Sequence, residues 1–323
     1  SGGNTVTNST VNVVATIATG TGTLSGTTTV AAVAGVATFT NLVITGTAGN
    51  FTLTFTPTSL TAVTSASFAL TFGAATASAI TTQPSGAVNG VAFTTQPVIR
   101  IVDASGNTVT NSTVNVVATI ATGTGTLSGT TTVAAVAGVA TFTNLVITGT
   151  AGNFTLTFTP TALTAVTSAS FALTFGAATA SAITTQPSGA VNGVAFTTQP
   201  VVRIVDSGGN TVTDSTVNVV ATIASGTGTL SGTTTVAAVA GVATFTNLVI
   251  TGTAGNFTLT FTPTALTAVT SASFALTFGT ATASAITTQP SGAVNGVAFT
   301  TQPVIRIVDS GGNTVTTSTV NVV

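Results

Sequence analysis

The chain repeats its own sequence every 103 residues with almost no change. The stretch Asn-Thr-Val-Thr begins at four positions spaced by this period: Asn4, Asn107, Asn210 and Asn313. A fixed internal period is typical of an array of similar modules. This period is too long for one coil of a solenoid or one propeller blade, and it is close to the usual size of an independently folding domain. The sequence therefore predicts one domain per period.

The composition favours sheet throughout the chain. Thr, Ala, Val, Gly and Ser supply most of the residues, and β-branched residues combined with turn formers favour strands over helices. Charged residues make up only 2% of the chain. They are Arg100, Arg203, Arg306, Asp103, Asp206, Asp214 and Asp309. We therefore expect an all-β protein with very few ionic contacts.

The low charge also limits the partners of the chain. A net charge of -1 produces no long-range field that attracts a polyanion, so we expect no nucleic-acid partner. Thr, Gly, Asn and Pro interrupt the uncharged stretches every few residues, which predicts no membrane insertion. No segment has the features of an export signal, and we expect any such signal to lie outside these residues.

Alternation of apolar and polar residues locates the strands within one repeat. The segment 154–160 places Phe154, Leu156 and Phe158 on one face and threonines on the other, and 170–175 repeats this arrangement with Phe171, Leu173 and Phe175. The segment 112–120 alternates in the same way. Seven to nine short strands per repeat, with turn residues every 8 to 12 positions, are typical of a β-sandwich.

The segment 91–103 predicts another strand, with Ile99 and Ile101 on its buried face and Arg100 in solvent. The residues after it, 104–107, predict a tight turn in which Asp103 accepts backbone N–H bonds and Gly106 or Asn107 takes positive φ. We interpret 85–90 as a turn and the Gly-rich segment 123–129 as a loop.

Three segments of each repeat resemble a known group of proteins. The runs TTQPVIRIVDASGNTVT, GTLSGTTTVAAVAGVATFTNLVITG and NFTLTFTP are similar to the immunoglobulin-like tandem repeats of large bacterial surface proteins and adhesins. The resemblance implies immunoglobulin-like sandwich modules that act mainly as spacers. Adhesins of this kind often have calcium-bound linkers rich in Asp, whereas the linker at 175–182 of this chain has no acidic residue.

The amino-acid types present in the chain argue against catalysis. General acid-base and nucleophilic catalysis mostly use His, Cys, Lys, Glu or Tyr, none of which occurs here. We expect no enzyme activity, no catalytic residues, no cofactor and no metal site. Asp103, Ser105 and Asn107 alternate like calcium ligands, but calcium prefers several carboxylates, so we favour an Asp that caps its own turn. Triplets that match the N-glycosylation signal begin at Asn8, Asn50, Asn111, Asn153 and Asn256.

The repeat predicts four modules in the chain. Residues 76–178 and 179–281 are complete modules, 1–75 is a partial module that lacks the first two strands, and 282–323 is a partial module with the first strands only. Either the array simply continues beyond these residues, or the 282–309 strands of one chain complete the 1–75 module of a second chain.

Two functions remain open at this point. We expect a structural segment of an extracellular filament, stalk or surface layer, whose partners are other copies of the chain, associated end to end and also laterally. In the alternative, the modules belong to an adhesin and bind a glycan or a protein through their loops. Either function places the chain outside the cell or at its surface.

Overall fold

The alternation in the sequence produces strands along the whole chain. The computed structural model describes residues 3–323. All the named secondary-structure elements in this range are β-strands. The first seven strands are β1 (Asn12–Thr19), β2 (Gly22–Ser25), β3 (Thr29–Ala31), β4 (Val43–Gly46), β5 (Gly49–Pro57), β6 (Val63–Thr64) and β7 (Phe68–Leu70).

The strands then recur at the sequence period. The next eleven are β8 (Ala77–Thr82), β9 (Ala87–Val88), β10 (Val98–Val102), β11 (Asn115–Thr122), β12 (Gly125–Ser128), β13 (Thr132–Ala134), β14 (Val139–Thr141), β15 (Val146–Gly149), β16 (Gly152–Pro160), β17 (Val166–Thr167) and β18 (Phe171–Thr174). Their counterparts are β19 (Ala180–Thr185), β20 (Ala190–Val191), β21 (Val201–Val205), β22 (Asn218–Ser225), β23 (Gly228–Ser231), β24 (Thr235–Ala237), β25 (Val242–Thr244), β26 (Val249–Gly252), β27 (Gly255–Pro263), β28 (Val269–Thr270) and β29 (Phe274–Thr277). The last two are β30 (Ala283–Thr288) and β31 (Val304–Val308).

The strands form two compact units. One unit contains Ser1–Ala87, Ala92–Ile147 and Gly152–Ala172, and the other contains Val88–Val91, Thr148–Ala151 and Leu173–Val323. None of the described residues forms a helix that is long and apolar enough to cross a lipid bilayer.

The second unit contains a complete β-sandwich. One sheet has the order β20-β29-β27-β22-β24 with β28 added to β27, and the other has the order β19-β21-β25. Strands β22 and β27 pair antiparallel from Val219 opposite Pro263 to Ser225 opposite Thr258. The space between the sheets is filled by residues of both, including Val202, Ile204, Phe257, Leu259 and Phe261. The all-β sandwich prediction is therefore confirmed.

The first unit contains counterparts of both kinds of sheet, but the two described here belong to successive repeats. The order β3-β1-β5-β6, with β7 paired to β5, forms one sheet, and β14-β10-β8 forms another. Phe154, Leu156 and Phe158 on β16 are buried, whereas the alternating threonines are half-buried or exposed. This is the arrangement that the Phe-x-Leu-x-Phe pattern predicts.

Several local predictions were wrong. Each full set contains eleven strands, such as β19–β29, because short strands lie in segments that we interpreted as a turn or a loop. The 85–90 segment contains β9, and the Gly-rich 123–129 segment contains β12. In the copy of that Gly-rich segment, β23 pairs with β26 from Gly228 opposite Gly252 to Ser231 opposite Val249. Glycine removes the side-chain signal of these strands but leaves their N–H and C=O groups free to pair.

Arg100 is half-buried, and its placement in solvent was also wrong. Its strand β10 is the central strand of three, and Arg100 lies opposite Ala79 on β8 and Val139 on β14. Small flanking side chains let the arginine stem lie along the sheet, as long cationic side chains commonly do. Its Nη1 donates to Thr108 Oγ1 at 3.5 Å.

Strand position predicts the order of tryptic cleavage in the native protein. Arg100 and Arg203 lie on strands paired on both sides, whereas Arg306 is exposed on β31, which forms a two-stranded sheet with β30. Because proteolysis requires local opening of the chain, we expect cleavage at Arg306 first. Mass spectrometry of a time course checks this. Equal rates at all three arginines would contradict the strand pairing.

A strained alanine in a tight turn predicts a stabilising substitution. Val136 and Val139 exchange N–H···O bonds of 2.8 and 3.0 Å across Ala137 and Gly138, whose φ values are 49° and 76°. Such two-residue turns prefer Asn-Gly, since an alanine in the left-handed region costs about 1 to 2 kcal/mol. We expect Ala137→Asn to raise the free energy of unfolding by about 1 kcal/mol in urea denaturation. An unchanged or lower value would contradict this reading of the turn.

Candidate functional site

Three of the four repeats carry an aspartate turn, defined as residues 103–107 and its copies 206–210 and 309–313. Asp103 Oδ1 accepts hydrogen bonds from the backbone N–H groups of Ser105 and Asn107, both at 2.9 Å. Gly106 has a φ of 80°, and its N–H donates to the Asp103 carbonyl at 3.0 Å. The predicted capping role of Asp103 is confirmed.

The second carboxylate oxygen reaches the preceding repeat. Asp103 Oδ2 accepts from the Gly73 N–H at 2.8 Å. The copies do the same, since Asp206 accepts from Gly176 at 2.7 Å and Asp309 accepts from Gly279 at 2.8 Å. These bonds could not be predicted from the sequence, because they join positions 30 residues apart in segments with no other signal.

The asparagine of the turn makes two further bonds to the preceding repeat. Asn107 Oδ1 accepts from the Ala48 N–H at 2.8 Å, and its Nδ2 donates to the Gly46 carbonyl at 3.0 Å. At the next copy, Asn210 Oδ1 accepts from Ala151 at 2.7 Å, and its Nδ2 donates to Gly149 at 2.8 Å. Asn313 makes the same pair with Ala254 at 2.6 Å and Gly252 at 2.8 Å.

A buried asparagine in the predicted turn at 85–90 completes the arrangement. Asn89 Nδ2 donates to Asp206 Oδ2 at 3.0 Å, and Asn89 Oδ1 accepts from the Gly149 N–H at 2.8 Å. Its copy Asn192 donates to Ser310 Oγ at 3.3 Å and accepts from Gly252 at 2.8 Å. Both asparagines are buried. An amide is suited to this place because it is both a donor and an acceptor.

These N–H donors hold the carboxylates in the charged form. The Gly73 N–H, followed by the Asn107 side chain, lowers the pKa of Asp103 from its ordinary 3.8 to about 2. Burial raises the pKa of Asp309, but the bonds from Gly279 and Asn313 outweigh it and lower that pKa to about 2. The pKa of Asp206 is also lowered, because bonds from Gly176 and Asn210 outweigh its burial.

The same geometry is unsuited to a cation. Calcium requires six to eight oxygen ligands, usually with several carboxylates. Here both oxygens of Asp103 face N–H donors, and Ser105 and Asn107 contribute such donors to it. Within residues 3–323 there is no cluster of three or more His, Cys, Asp or Glu side chains that could hold a metal ion. The aspartate turn is chemically a hydrogen-bonding element.

The lowered pKa values predict where acid weakens the turn. Because the folded pKa lies below the ordinary value, the contribution to stability is complete above pH 3.8 and is lost as the pH falls toward 2. We expect the Gly73 and Gly279 amide shifts to titrate with midpoints near pH 2, as measured by two-dimensional NMR. In Asp309→Asn the Gly279 titration should disappear. A midpoint near 4 would contradict the hydrogen-bonded carboxylate.

The asparagines of the glycosylation triplets are all exposed. This group is Asn8, Asn50, Asn111, Asn153 and Asn256. They lie outside the aspartate turns.

Similar solved structures include bacterial surface proteins. The D0-D1 domain of intimin is 16% identical with a TM-score of 0.26, and the match covers 62% of this chain and 97% of that one. The Escherichia coli adhesin FdeC is 18% identical with a TM-score of 0.33, over 75% and 77% of the two chains. Domains 4–9 of the surface layer protein SbsC are 15% identical with a TM-score of 0.23, over 88% and 41%. Glycosidase chains of Bacteroides are also similar.

No protein-family model matches the chain. No curated protein matches it either. The function is therefore argued from the residues and contacts of this chain.

Proposed function

We propose that the chain is a structural repeat segment of an extracellular filament, stalk or surface layer, which provides length and mechanical support and performs no catalysis. One observation carries the proposal. The same hydrogen bonds tie an aspartate turn to the preceding repeat at three places, through Asp103, Asp206 and Asp309. Three of the few charged residues of the chain therefore bind one repeat to the next, which is the arrangement expected of an extended array of repeats.

The absence of suitable side chains supports the non-catalytic part of the proposal. The acidic residues are four aspartates, and three of them accept hydrogen bonds from backbone N–H groups of the preceding repeat, those of Gly73, Gly176 and Gly279. A general base must be able to reach the proton of a substrate. The carboxylates of the aspartate turns are instead engaged with the protein's own backbone.

A second candidate function is binding through the hairpin tips. Val33, Val136 and Val239 occupy the same position in successive copies and are 76%, 76% and 75% exposed. Exposed apolar side chains at a regular spacing can bind a repetitive partner with increased avidity. This observation favours the adhesin alternative, in which the loops bind a glycan or a protein on another surface.

Changing the number of copies separates the two functions. We would insert a second copy of residues 179–281 and compare this variant with the parent chain. A structural array should gain a fixed end-to-end length per copy in electron micrographs and show no binding on glycan and protein arrays. An adhesin should gain apparent affinity with each copy, and serine in place of Val33, Val136, Val239 and the copy of Val239 in the insert should remove it. An unchanged length would overturn the structural proposal.

Association between chains is part of the same proposal. Phe299 is 43% exposed and Phe68 is 40% exposed, whereas Phe196, the counterpart of Phe299, is 4% exposed. We propose that residues 282–309 of one chain complete residues 1–75 of a second chain by strand addition, and that low charge permits lateral contact. Sedimentation should show association that depends on concentration and is lost when 282–323 is deleted. Unchanged association would rule out strand addition.

A further inference from the structure

We infer that the aspartate turn is a docking element, which fixes a repeat in one orientation on the preceding repeat of the same chain, and that its binding partner is a surface of that preceding repeat. This inference deepens the structural role proposed above, which rests on the same contacts, and it concerns how neighbouring repeats are joined. The receiving surface is defined here as the Gly46 carbonyl with the Ala48 and Gly73 N–H groups, together with their copies in the later repeats.

The first argument is that the contact repeats atom for atom. In each of the three cases an aspartate Oδ2 accepts one glycine N–H, and an asparagine side chain both accepts from an alanine N–H and donates to a glycine carbonyl. The distances in the second and third cases lie between 2.6 and 2.8 Å. Three directional bonds from two side chains define an orientation, which a single contact would not.

The second argument is the burial of polar groups at the joint. Asp206 and Asn210 are buried, and so is Asn89, which donates to Asp206 from the preceding repeat. Asp214 lies eight residues further along the same repeat and is exposed. Buried polar groups are costly unless they are hydrogen-bonded, so separation of the two surfaces must rehydrate all of them together. The joint should therefore open as a unit.

The third argument is the chemistry of the linker. Residues 175–179 between β18 and β19 contain no acidic side chain and no bulky residue after Phe175. A linker of this composition is flexible by itself. The Gly176 N–H within it is nevertheless held by Asp206. The linker is therefore held by two backbone donors, the Gly176 N–H to Asp206 and the Thr179 N–H to the Val205 carbonyl at 2.9 Å, and the first of these bonds depends on the aspartate turn of the following repeat.

Hydrogen exchange of single amides in the full chain tests the inference. In Asn210→Ala, the turn keeps the backbone N–H bond of residue 210 to Asp206 but loses the two bonds that the Asn210 side chain makes to the preceding repeat. We expect the Ala151 amide to exchange on the order of tenfold to a hundredfold faster. In Asp206→Asn we expect the same acceleration at the Gly176 amide. The Phe257 amide in the core strand β27 should keep its rate in both variants, which shows that the fold is intact.

The chain supplies matched controls for both changes. Asn4→Ala alters the same repeat position where the side chain is exposed, and Asp214→Asn makes the same chemical change at an exposed aspartate whose counterparts in the two earlier copies, Asn8 and Asn111, are asparagine. Neither control should alter exchange at Ala151 or Gly176. The inference would be overturned if Asn210→Ala and Asp206→Asn gave the same exchange rates at these two amides as the control variants.

Orientation is tested by a distance distribution. Because the chain has no cysteine, Thr262→Cys with Thr317→Cys places two spin labels at exposed positions on either side of the joint formed by Asp309. We expect one narrow distance peak in this background. Addition of Asp309→Asn should at least double the width of the peak, whereas addition of Asp214→Asn should leave it unchanged. A peak that is equally broad with and without Asp309 would overturn the docking role.

Discussion

Replacing Phe158 by Ala is expected to lower the free energy of unfolding of its repeat by about 3 to 5 kcal/mol. Phe158 on β16 is fully buried and packs against Phe142 with ring centroids 5.4 Å apart. The substitution removes the transfer energy of the ring and leaves a cavity that the flanking strands cannot fill. Urea denaturation followed by circular dichroism measures the loss, since the chain contains no Trp or Tyr for fluorescence.

Two variants calibrate this result. Thr157→Ala changes the neighbouring residue on the opposite face of β16 and should cost less than about 1 kcal/mol. Phe55→Ala makes the same change in the first copy, where the ring is only half-buried, and should cost less than Phe158→Ala. Equal losses for Phe158→Ala and Thr157→Ala would contradict the assignment of the two faces.

The second large effect is expected from Gly129→Ala. Gly129 has a φ of 86°, which a residue with a side chain adopts only at a cost of about 1 to 2 kcal/mol. A Cβ atom here would also collide with the backbone carbonyl oxygen of Asn144, which a rotamer change cannot relieve. With about 1 to 3 kcal/mol for overpacking, we expect a total loss of about 2 to 5 kcal/mol in urea denaturation.

Gly106→Ala is the matched control for the steric part of this effect. Gly106 has a similar φ of 80°, but no atom lies within 4 Å of the position that its Cβ would take. We therefore expect only the backbone cost of about 1 to 2 kcal/mol. If Gly106→Ala were as damaging as Gly129→Ala, the close approach to Asn144 would not be the cause.

The parts of the fold that could be predicted from the sequence are those with strong side-chain alternation. Phe154, Leu156 and Phe158 define their buried face by type alone, and Ile99 and Ile101 do the same on β10. The short strands β9 and β12 could not be predicted, because backbone pairing forms them and their small residues give no periodic signal.

Only the hydrogen bonds within the aspartate turn itself were predicted from the sequence. An aspartate followed by small residues and Asn predicts a capped turn, since those bonds span two to four positions. The bonds that Asp206 accepts from the Gly176 N–H and from the Asn89 side chain join positions 30 and 117 residues apart. A glycine or a single asparagine carries no sequence pattern that identifies it as a hydrogen-bond partner of a distant aspartate. The half-buried position of Arg100 was missed for a related reason, because it depends on the small residues of two neighbouring strands.

Stretching single molecules of the full chain tests most directly whether the copies are separate load-bearing domains. A residue of extended chain spans at most about 3.3 to 3.6 Å, so unfolding of one 103-residue copy should release about 300 Å once its folded length is subtracted. We expect two equal steps of this size, from residues 76–178 and 179–281. A single step for the whole chain, or steps of about 500 Å or more, would contradict the central claim that each sequence period is one mechanical unit.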